Sequence, residues 1–541
     1  MAKSNFLRGT LLLTVASFLS KFLGMIYVIP FTNLVGETGM TLYGYAYGPY
    51  TIFLSISTVG IPLAVSKFVS KYNTLNDYHT SYRTFKMSVM IMFATGILSF
   101  LVMFFSADLI AKWTIDEGTK NISIDDVKYV IRMVSFSLII IPGMAVMRGF
   151  FQGNQSMEPT AVSQVIEQIA RIVFLLVVVF IIIQLAGGER VTAVGWATFA
   201  AFIGGLASWI VLLYYWRSRK RHINENLKRQ RKIYQYETKD LLRELISYSG
   251  VFVFVGMAIP LFQLVDQFTF NHAMVAIGLA DEAEVAYSIF NVQGHKLIIL
   301  PVTIATGLSL ALLPEITSAY NSKDSKRVKL LINQALQIIM FFVLPAVVGI
   351  MLLSDEIYGG LFGLQNIDIA GPLLAWYAPS ALTLAFFTVT ASILQGINEQ
   401  KFTLISLGIG ILTKVLLNSI MIQTFESKGA VISTLIATLI ASLLNISRIH
   451  KKIPFPVKKL FKLSLLMLIF TAIMTLAVII VKWIFGLIMD YEEGRIASLF
   501  VGVIAALIGG GIYLYLGYAS TLFERITGRR IAFVDRLIGR E

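Results

Sequence analysis

Long apolar runs recur along the whole 541-residue chain and alternate with short polar segments. Each run has about 20 residues, the length that an α-helix needs to cross about 30 Å of hydrocarbon. A membrane β-strand would instead be an alternating segment of about ten residues, so the pattern predicts an all-α polytopic membrane protein. The fourteen predicted transmembrane helices cover 10–34, 43–66, 87–107, 129–147, 160–184, 192–216, 245–270, 285–313, 330–353, 371–394, 402–423, 429–449, 460–486 and 496–518.

Composition agrees with a membrane protein. The chain is 56% hydrophobic and 14% charged, whereas a soluble domain is about 25% charged. The run 10–34 is too long for the core of a signal peptide, so it is predicted to be an uncleaved first helix. With no Cys and five scattered His, the chain has no thiolate or imidazole cluster, and no metal site is expected.

Positive charge is distributed unequally between the two sets of loops. If the N-terminus lies inside, the inner loops and tails carry 33 Lys and Arg residues and the outer loops carry six. Cytoplasmic loops are enriched in Lys and Arg, so we expect a multi-pass protein of the cytoplasmic membrane with both termini cytoplasmic. The net charge of +14 follows from this bias and favours contact with anionic lipids over nucleic acid, which is not an expected partner.

The two halves of the chain contain related segments. Gln152-Gly153 is followed by Arg171, and Gln395-Gly396 is followed by Lys414, with 19 residues from Gln to cation in both cases. A second match, at a constant offset of 248, pairs Thr58, Ser70, Tyr72 and Asn73 with Thr306, Ser318, Tyr320 and Asn321. Six helices per half make this a parallel repeat, which predicts two six-helix lobes related by a pseudo-two-fold axis along the membrane normal.

The repeat and the densest run of basic residues define the expected domains. Two further C-terminal helices lie outside the repeat. The predicted boundaries are 1–216 for the N-terminal lobe, 217–244 for a basic cytoplasmic linker, 245–454 for the C-terminal lobe, and 455–541 for the two added helices with a basic tail.

Four cations fall near the middle of predicted helices: Lys21, Arg171, Lys296 and Lys414. A charge at this depth costs about 2.5–3.5 kcal/mol on insertion scales, so such residues usually face a cavity, a partner or a substrate. All four are therefore candidate substrate-binding residues in a cavity, and an excess of buried cations predicts an anionic substrate.

Lys21 and Lys296 have different local surroundings in the sequence. Lys21 could extend to the interface or pair with an acid, whereas Lys296 lies between Gly294 and Pro301, which predicts a kinked helix that lines water.

The remaining two cations differ in the acids nearby. Arg171 follows Glu167 by four residues, the spacing of a pair on one helix face. Lys414 has no acid within one helical turn, so its partner must come from another helix or from the substrate. Asp266 is the main other intramembrane acid and, like Glu167, is a candidate counter-ion or coupling site.

No catalytic motif occurs in the sequence. It lacks a Walker A loop, an HExxH or GxSxG motif and a nucleophile–base arrangement, so the protein is not expected to be an enzyme or to hydrolyse ATP. No cofactor is expected. A coupling ion, the membrane potential or the fate of the substrate must supply the energy for transport.

Several motifs resemble a known family. The stretch from Arg148-Gly-Phe-Phe-Gln-Gly through Pro159 to Glu167-Gln-Ile-Ala-Arg171 resembles the signature of polysaccharide-type flippases of the multidrug/oligosaccharidyl-lipid/polysaccharide exporter superfamily. Ser20-Lys-Phe-Leu-Gly24 and the region from His295-Lys296 to Leu313-Pro314 resemble the MurJ-type lipid II flippases, in particular a Bacillus-type branch that includes a sporulation protein. The resemblance covers essentially the whole chain.

This resemblance implies two lobes around a cationic cavity and alternating access that moves lipid II, on its undecaprenyl diphosphate carrier, from the inner to the outer leaflet. Lys21 and Lys296 match arginines of the family, whereas Tyr27 and Leu54 stand where Gram-negative members have further arginines. The last two helices are implied to form a groove for the polyprenyl tail, and the cell-wall synthesis machinery is an implied partner.

Three other functions are compatible with parts of the sequence. A flippase for another lipid-linked glycan, such as a teichoic-acid or capsule precursor, would also need buried cations. A cation-coupled multidrug exporter would need acids near its cavity. A membrane scaffold without transport activity would not need cations at mid-membrane depth.

Overall fold

The computed structural model describes residues 18–58, 60–115, 121–230, 256–490 and 494–527, together with isolated positions between 12 and 16 and between 237 and 253. All regular secondary structure in these residues is helical. The chain divides into two compact units, Met1–Val275 and Ala276–Glu541.

The first unit contains nine α-helices in its described part. They are α1 (Val28–Thr58), α2 (Gly60–Thr74), α3 (Tyr78–Phe105), α4 (Ala107–Thr114), α5 (Ile124–Ser135), α6 (Ser137–Gly153), α7 (Glu158–Phe180), α8 (Arg190–Arg229) and α9 (Ala258–Ala276). Residues 18–26 are also helical, and a π-helix, Ile181–Leu185, continues α7.

The second unit contains ten α-helices in its described part. They are α10 (Ala280–Tyr287), α11 (Gly294–Asn321), α12 (Ser325–Leu352), α13 (Ser354–Phe362), α14 (Ile367–Gly396), α15 (Gln400–Phe425), α16 (Ser427–Lys452), α17 (Val457–Ile488), α18 (Arg495–Ala519) and α19 (Leu522–Thr527). A π-helix, Ser288–Gln293, connects α10 to α11.

Twelve helices in the described ranges are long and apolar enough to cross a membrane. They coincide with twelve of the fourteen predicted segments. The other two predicted segments, 10–34 and 245–270, extend over residues outside the description. The count of fourteen therefore stays a prediction.

The connection between the first two predicted segments, 10–34 and 43–66, is a kink inside the interval that separates them. The structure continues from one helix into the next within Val28–Thr58, and the only break is a sharp kink at Gly36, with φ of 69°. Glycine has no Cβ and adopts positive φ without steric cost, so a single residue replaces a loop.

The helix α8 extends beyond the membrane-spanning part predicted for it. Residues 217–229, which the sequence assigns to the linker, continue α8 as a helix of 40 residues. The end of this helix is anchored within the first unit, because the Gln230 side chain donates to Asp77 (2.9 Å) and accepts from the backbone N–H of His79 (2.8 Å). The division of the chain at Val275 also groups α9 with the first unit, one helix later than the predicted boundary at 245.

The two Gln-Gly motifs of the repeat have similar packing. A Cβ added at Gly153 would lie 2.7 Å from atoms of Ser66 and Val69 on α2, and one added at Gly396 would lie 2.6 Å from Ile316 on α11. In both units the glycine therefore lets two helices approach closely, as small residues do in membrane proteins.

The two added helices, α17 and α18, pack on α12 and α13 within the second unit. Phe341 of α12 packs against Tyr513 of α18, with ring centroids 5.3 Å apart. An ion pair of 2.7 Å joins the half-buried Lys482 to the buried Glu356 of α13. The Arg495 side chain caps α13 by donating to the carbonyl oxygens of Gly360 (3.2 Å) and Leu361 (2.7 Å).

Candidate functional site

Lys21 lies on the helix that precedes α1 and has an exposed side chain. The neighbouring Gly24 faces α7, since a Cβ added there would lie 3.1 Å from Nε2 of Gln168. The helix that carries Lys21 thus packs closely on α7 through its glycine, while the ammonium group is left accessible. A role for Lys21 in substrate binding stays a prediction.

Arg171 of α7 is bound by tyrosines of α1. Its Nη2 donates to the hydroxyls of Tyr43, at 3.2 Å, and of Tyr47. The guanidinium carbon also lies 5.1 Å from the centre of the Tyr47 ring, a cation–π contact. These contacts come from neutral tyrosine side chains, so they stabilise the guanidinium without neutralising its positive charge.

Glu167 does not neutralise Arg171, although the spacing of four residues makes this pair available. Instead, Glu167 Oε2 accepts from Nη2 of Arg148 on α6 at 2.7 Å. Arg148 also donates to the hydroxyls of Ser163 and Ser208, both at 2.9 Å. The planar guanidinium reaches three acceptors on α7 and α8 at once, an arrangement that Arg171 on the same helix as Glu167 cannot make.

Tyr43 and Tyr47 belong to a cluster of four tyrosines that the sequence analysis did not identify. The Tyr43 and Tyr47 rings stack at 4.4 Å, and Tyr50 packs edge-on against Tyr47 at 5.3 Å. The Tyr27 hydroxyl is 2.8 Å from that of Tyr43. Their spacing along α1 was visible in the sequence as a stripe of tyrosines at 43, 47 and 50, but nothing in it indicated which cation they would meet.

Lys296 follows the π-helix Ser288–Gln293 and is half-buried. Gln293 Oε1 accepts from the Tyr358 hydroxyl at 2.6 Å, and His295 Nδ1 is 2.9 Å from the Tyr377 hydroxyl. A π-turn changes the direction of the side chains that follow it and is frequent at functional sites. The irregularity expected between Gly294 and Pro301 thus lies just before Gly294, where two tyrosines fix the residues on either side of it.

Lys414 has a different environment. Its side chain is completely buried, and its Nζ donates to Thr434 of α16. The helix α16 is also bonded to α14, by a bond between Thr383 and Thr438 (2.6 Å) and one from Ser442 to the carbonyl of Thr383 (3.0 Å). In this structure Lys414 is therefore part of the polar packing of the second unit and is not accessible to a substrate.

Asp266 is buried on α9, with 4% of its surface exposed. The adjacent polar residues fix α9 to the rest of the first unit. Gln267 donates to the Tyr45 carbonyl (3.0 Å) and to Thr114 (3.2 Å), and Asn271 donates to the Thr114 carbonyl (2.9 Å). A role for Asp266 as a counter-ion or coupling site stays a prediction. Within the described ranges, no three His, Asp or Glu side chains form a group that could hold a metal ion.

An apolar cavity of about 300 Å³ lies between α12 and the two added helices. Its wall includes Phe342 and Pro345 of α12, Met474 and Val478 of α17, and Leu514 of α18. Such a lining can accommodate hydrocarbon and offers no charged group.

The sequence matches two protein-family models. One is described as "Polysaccharide biosynthesis protein" and matches residues 6–320, and the other is described as MatE and matches residues 274–420. Among curated proteins, the lipid II flippase MurJ of Bacillus subtilis (strain 168) is 42% identical over 531 residues, covering 98% of each chain. Stage V sporulation protein B of the same organism is 26% identical, covering 99% of this chain and 100% of that protein.

Solved structures agree on the fold. A lipid II flippase MurJ in an inward closed conformation aligns with a TM-score of 0.66 and 18% identity, covering 96% of this chain and 100% of that one. An inward-facing multidrug resistance MATE family transporter aligns with a TM-score of 0.62 and 16% identity, covering 81% of this chain and 99% of that one.

Proposed function

The chain belongs to the polysaccharide biosynthesis protein family and to its MurJ-type lipid II flippases, and we propose that it moves lipid II from the inner to the outer leaflet of the cytoplasmic membrane. The observation that carries this proposal is the 42% identity to a lipid II flippase over 98% of both chains. The protein is a multi-pass membrane transporter and not an enzyme. We further propose alternating access as its mechanism and a cytoplasmic location for both termini.

The chemistry of the substrate explains why the membrane helices contain cations. A diphosphate cannot cross hydrocarbon without compensating charge, whereas its isoprenoid tail can stay in an apolar environment. Lysine provides a compact charge with three donors that binds phosphate oxygens without a fixed geometry. We therefore assign phosphate contacts to Lys21, which is exposed, and to Lys296, which is half-buried after a π-turn.

The other two cations, Lys414 and Arg171, are bonded to side chains of neighbouring helices. Lys414 is completely buried and bonded to Thr434, so we assign it to helix packing. Arg171 is held by Tyr43 and Tyr47 and does not present its guanidinium directly to a ligand. The apolar cavity between α12, α17 and α18 fits a segment of the isoprenoid tail.

The energy source and the partners of the flippase belong to the proposal as well. With no nucleotide-binding motif in the sequence, a coupling ion or the membrane potential would drive the cycle. Anionic membrane lipids would contact the basic loops, and the enzymes of cell-wall synthesis would use the lipid II delivered to the outer leaflet.

Complementation of a bacterial strain depleted of its lipid II flippase tests the function. We expect the wild-type chain to restore growth, and Lys21→Ala and Lys296→Ala to fail at equal expression. Lys326→Ala, at an exposed position of α12, is the matched control and should restore growth. If the well-expressed wild type failed to restore growth, a flippase for another lipid-linked glycan would replace this proposal. Full rescue by both lysine variants would refute their assignment as phosphate ligands.

A further inference from the structure

We propose that a groove in the second unit binds an acidic, amphipathic helix of a cytoplasmic partner protein. The groove has a volume of about 480 Å³ and lies between the turn that joins α11 to α12 and the end of α16. Tyr320, Asn321, Lys323 and Ser325 line it from the turn, and Lys452 lines it from α16. The turn belongs to the basic loops that we expect on the cytoplasmic side, and the inference does not depend on which substrate is transported.

The first unit has the same local structure at the turn that joins α2 to α3. Asp77 precedes α3 and Asp324 precedes α12, and each carboxylate accepts from the backbone N–H three residues later, at 3.2 and 3.0 Å. The residue before each aspartate has a positive φ, of 55° at Asn76 and 59° at Lys323. The two turns therefore occupy the same position in the two halves of the repeat.

A helix covers the turn of the first unit. The part of α8 beyond the membrane lies over it, and a cavity of only about 20 Å³ remains beside Ile223 and Leu227 of this extension. At the end of the extension, the Gln230 side chain donates to Asp77 and accepts from the backbone N–H of His79, the second residue of α3. The first unit thus shows that this kind of turn can bind a helix, through apolar contacts and through the start of the neighbouring helix.

The counterpart of α8 in the second unit is α16. An ion pair joins Arg219 of α8 to Glu158 at the start of α7, at 3.6 Å. In the same way, an ion pair joins Arg448 of α16 to Glu399 at the start of α15, at 2.7 Å. Beyond its arginine, however, α8 continues for more than two helical turns, whereas α16 ends after about one.

The early end of α16 leaves the second turn uncovered. The helix ends at Lys452, and Pro454 and Pro456 follow. Proline has no backbone N–H and cannot continue a helix without breaking it, so no extension comparable to that of α8 can form here. In the part of the chain that the structure describes, no acceptor bonds to the backbone N–H of Lys326, which corresponds to His79.

The charges around the groove indicate an acidic occupant. Lys323 and Lys452 line it, and none of its described lining residues is acidic. Glu399 pairs with Lys452 at 2.6 Å but also with Arg448, so one carboxylate faces two cations. The start of α12 adds the partial positive charge of a helix N-terminus. A carboxylate-bearing partner would therefore be attracted to this place.

The apolar part of the groove and its counterpart in the first unit indicate a helix. Val328 and Ile453 line the groove and are buried, as a surface that receives apolar side chains requires. In helix-in-groove recognition, an amphipathic helix inserts such side chains at intervals of three or four residues. Ile223 and Leu227 of the α8 extension have this spacing. An anionic lipid headgroup would contact the lysines alone, so the helix fits more of the observed groove.

Binding of a stapled helical peptide to the purified full-length protein in phosphatidylcholine nanodiscs tests the proposal. The peptide has the sequence of residues 217–230 and keeps Ile223, Leu227 and Gln230. Four exposed basic positions are replaced by glutamate: Arg217→Glu, Lys220→Glu, Arg221→Glu and Lys228→Glu. We expect this acidic peptide to bind, and the unmodified basic peptide to bind at least about tenfold more weakly because like charges repel.

Variants of the protein locate the binding site. Lys323→Glu should weaken binding of the acidic peptide about tenfold at low salt and less at high salt. Ser325→Trp should block the groove without changing the charge. Lys401→Glu is the matched control, since Lys401 is an exposed lysine at the start of α15 outside the groove lining. Each variant should melt at the wild-type temperature and restore growth in the complementation assay.

The possible outcomes separate this proposal from its alternatives. Equal binding of the acidic and basic peptides, no binding of either, or full binding to Ser325→Trp would overturn it. Loss of peptide binding when the nanodiscs contain phosphatidylglycerol would also overturn it, because the groove would then belong to lipid headgroups. A wild-type protein that binds the peptide and fails in complementation would refute the proposed function alone.

Discussion

The ion pair between Arg148 and Glu167 permits a direct test of how the first unit is held together. Two arginines could pair with this carboxylate: Arg171, one turn away on α7, and Arg148, on α6. Glu167 pairs with Arg148, at an N–O distance of 2.7 Å. The exposed fractions of the Arg148 and Glu167 side chains are 13% and 23%. We therefore expect thermodynamic coupling of Glu167 to Arg148 and much weaker coupling to Arg171.

The size of the effect follows from the contacts. A hydrogen bond between charged groups contributes about 1.5–3 kcal/mol, and removal of one partner of a buried pair costs about 3–5 kcal/mol. We expect a coupling energy of about 2 kcal/mol for Arg148 and Glu167, because both side chains are mostly buried but not dry. Arg148→Gln should be the more damaging single change, since Ser163 and Ser208 still accept from Arg148 when Glu167 is replaced.

Two double-mutant cycles supply the measurement. The variants Glu167→Gln, Arg148→Gln and Arg171→Gln and the two relevant doubles would be unfolded with SDS in mixed micelles, with tryptophan fluorescence as the signal. The Arg148–Glu167 cycle should exceed the Arg171–Glu167 cycle by at least about 1 kcal/mol. A larger coupling for Arg171 would show that the pair on one helix face forms instead, and our assignment of Arg171 to the tyrosines would be wrong.

Three further predictions concern single sites. Gly149→Ala should destabilise the protein, because the added Cβ would lie 2.4 Å from the Pro62 carbonyl oxygen; an unaltered midpoint of SDS unfolding would contradict this close packing. Hydrogen bonds from Lys452 and a neighbouring arginine lower the pKa of Glu399 from its ordinary value of 4.5. The stabilisation from ionised Glu399 should be complete above pH 4.5 and disappear as the pH falls through the lowered pKa. The free energies of unfolding of wild type and Glu399→Gln should therefore differ at pH 6 and converge in acid. Lys414→Met should still support growth in the complementation assay, because a buried lysine replaced by an apolar side chain of similar shape costs little, and loss of growth with normal expression would return Lys414 to the substrate site.

The fold class could be predicted because its determinants are local. Twelve of the predicted segments coincide with helices that can cross a membrane, since about 20 consecutive apolar residues suffice to specify such a helix. The break between the first two predicted segments is shorter than the interval 35–42 that separates them, because one glycine makes it. Hydropathy detects a polar interval, but it does not detect that Gly36 alone can make the turn.

Candidate site residues were harder to interpret. The depth of Lys21, Arg171, Lys296 and Lys414 in apolar segments was evident from the sequence, and so was their charge. Their accessibility was not. Lys21 is exposed and Lys414 is completely buried, although both lie near the middle of a predicted segment.

By itself, the sequence determined the membrane class, the positions of most helices, the charge bias and the presence of four cations within apolar segments, all of which depend on runs or single positions along the chain. Only the tertiary structure decided that Glu167 binds Arg148, that Arg171 binds Tyr43 and Tyr47, and that a π-turn precedes Lys296. The physical reason is that a side chain in an apolar environment bonds to whichever group a neighbouring helix brings within about 3 Å. That choice depends on how helices distant in the sequence pack, which the spacing along a single helix does not specify.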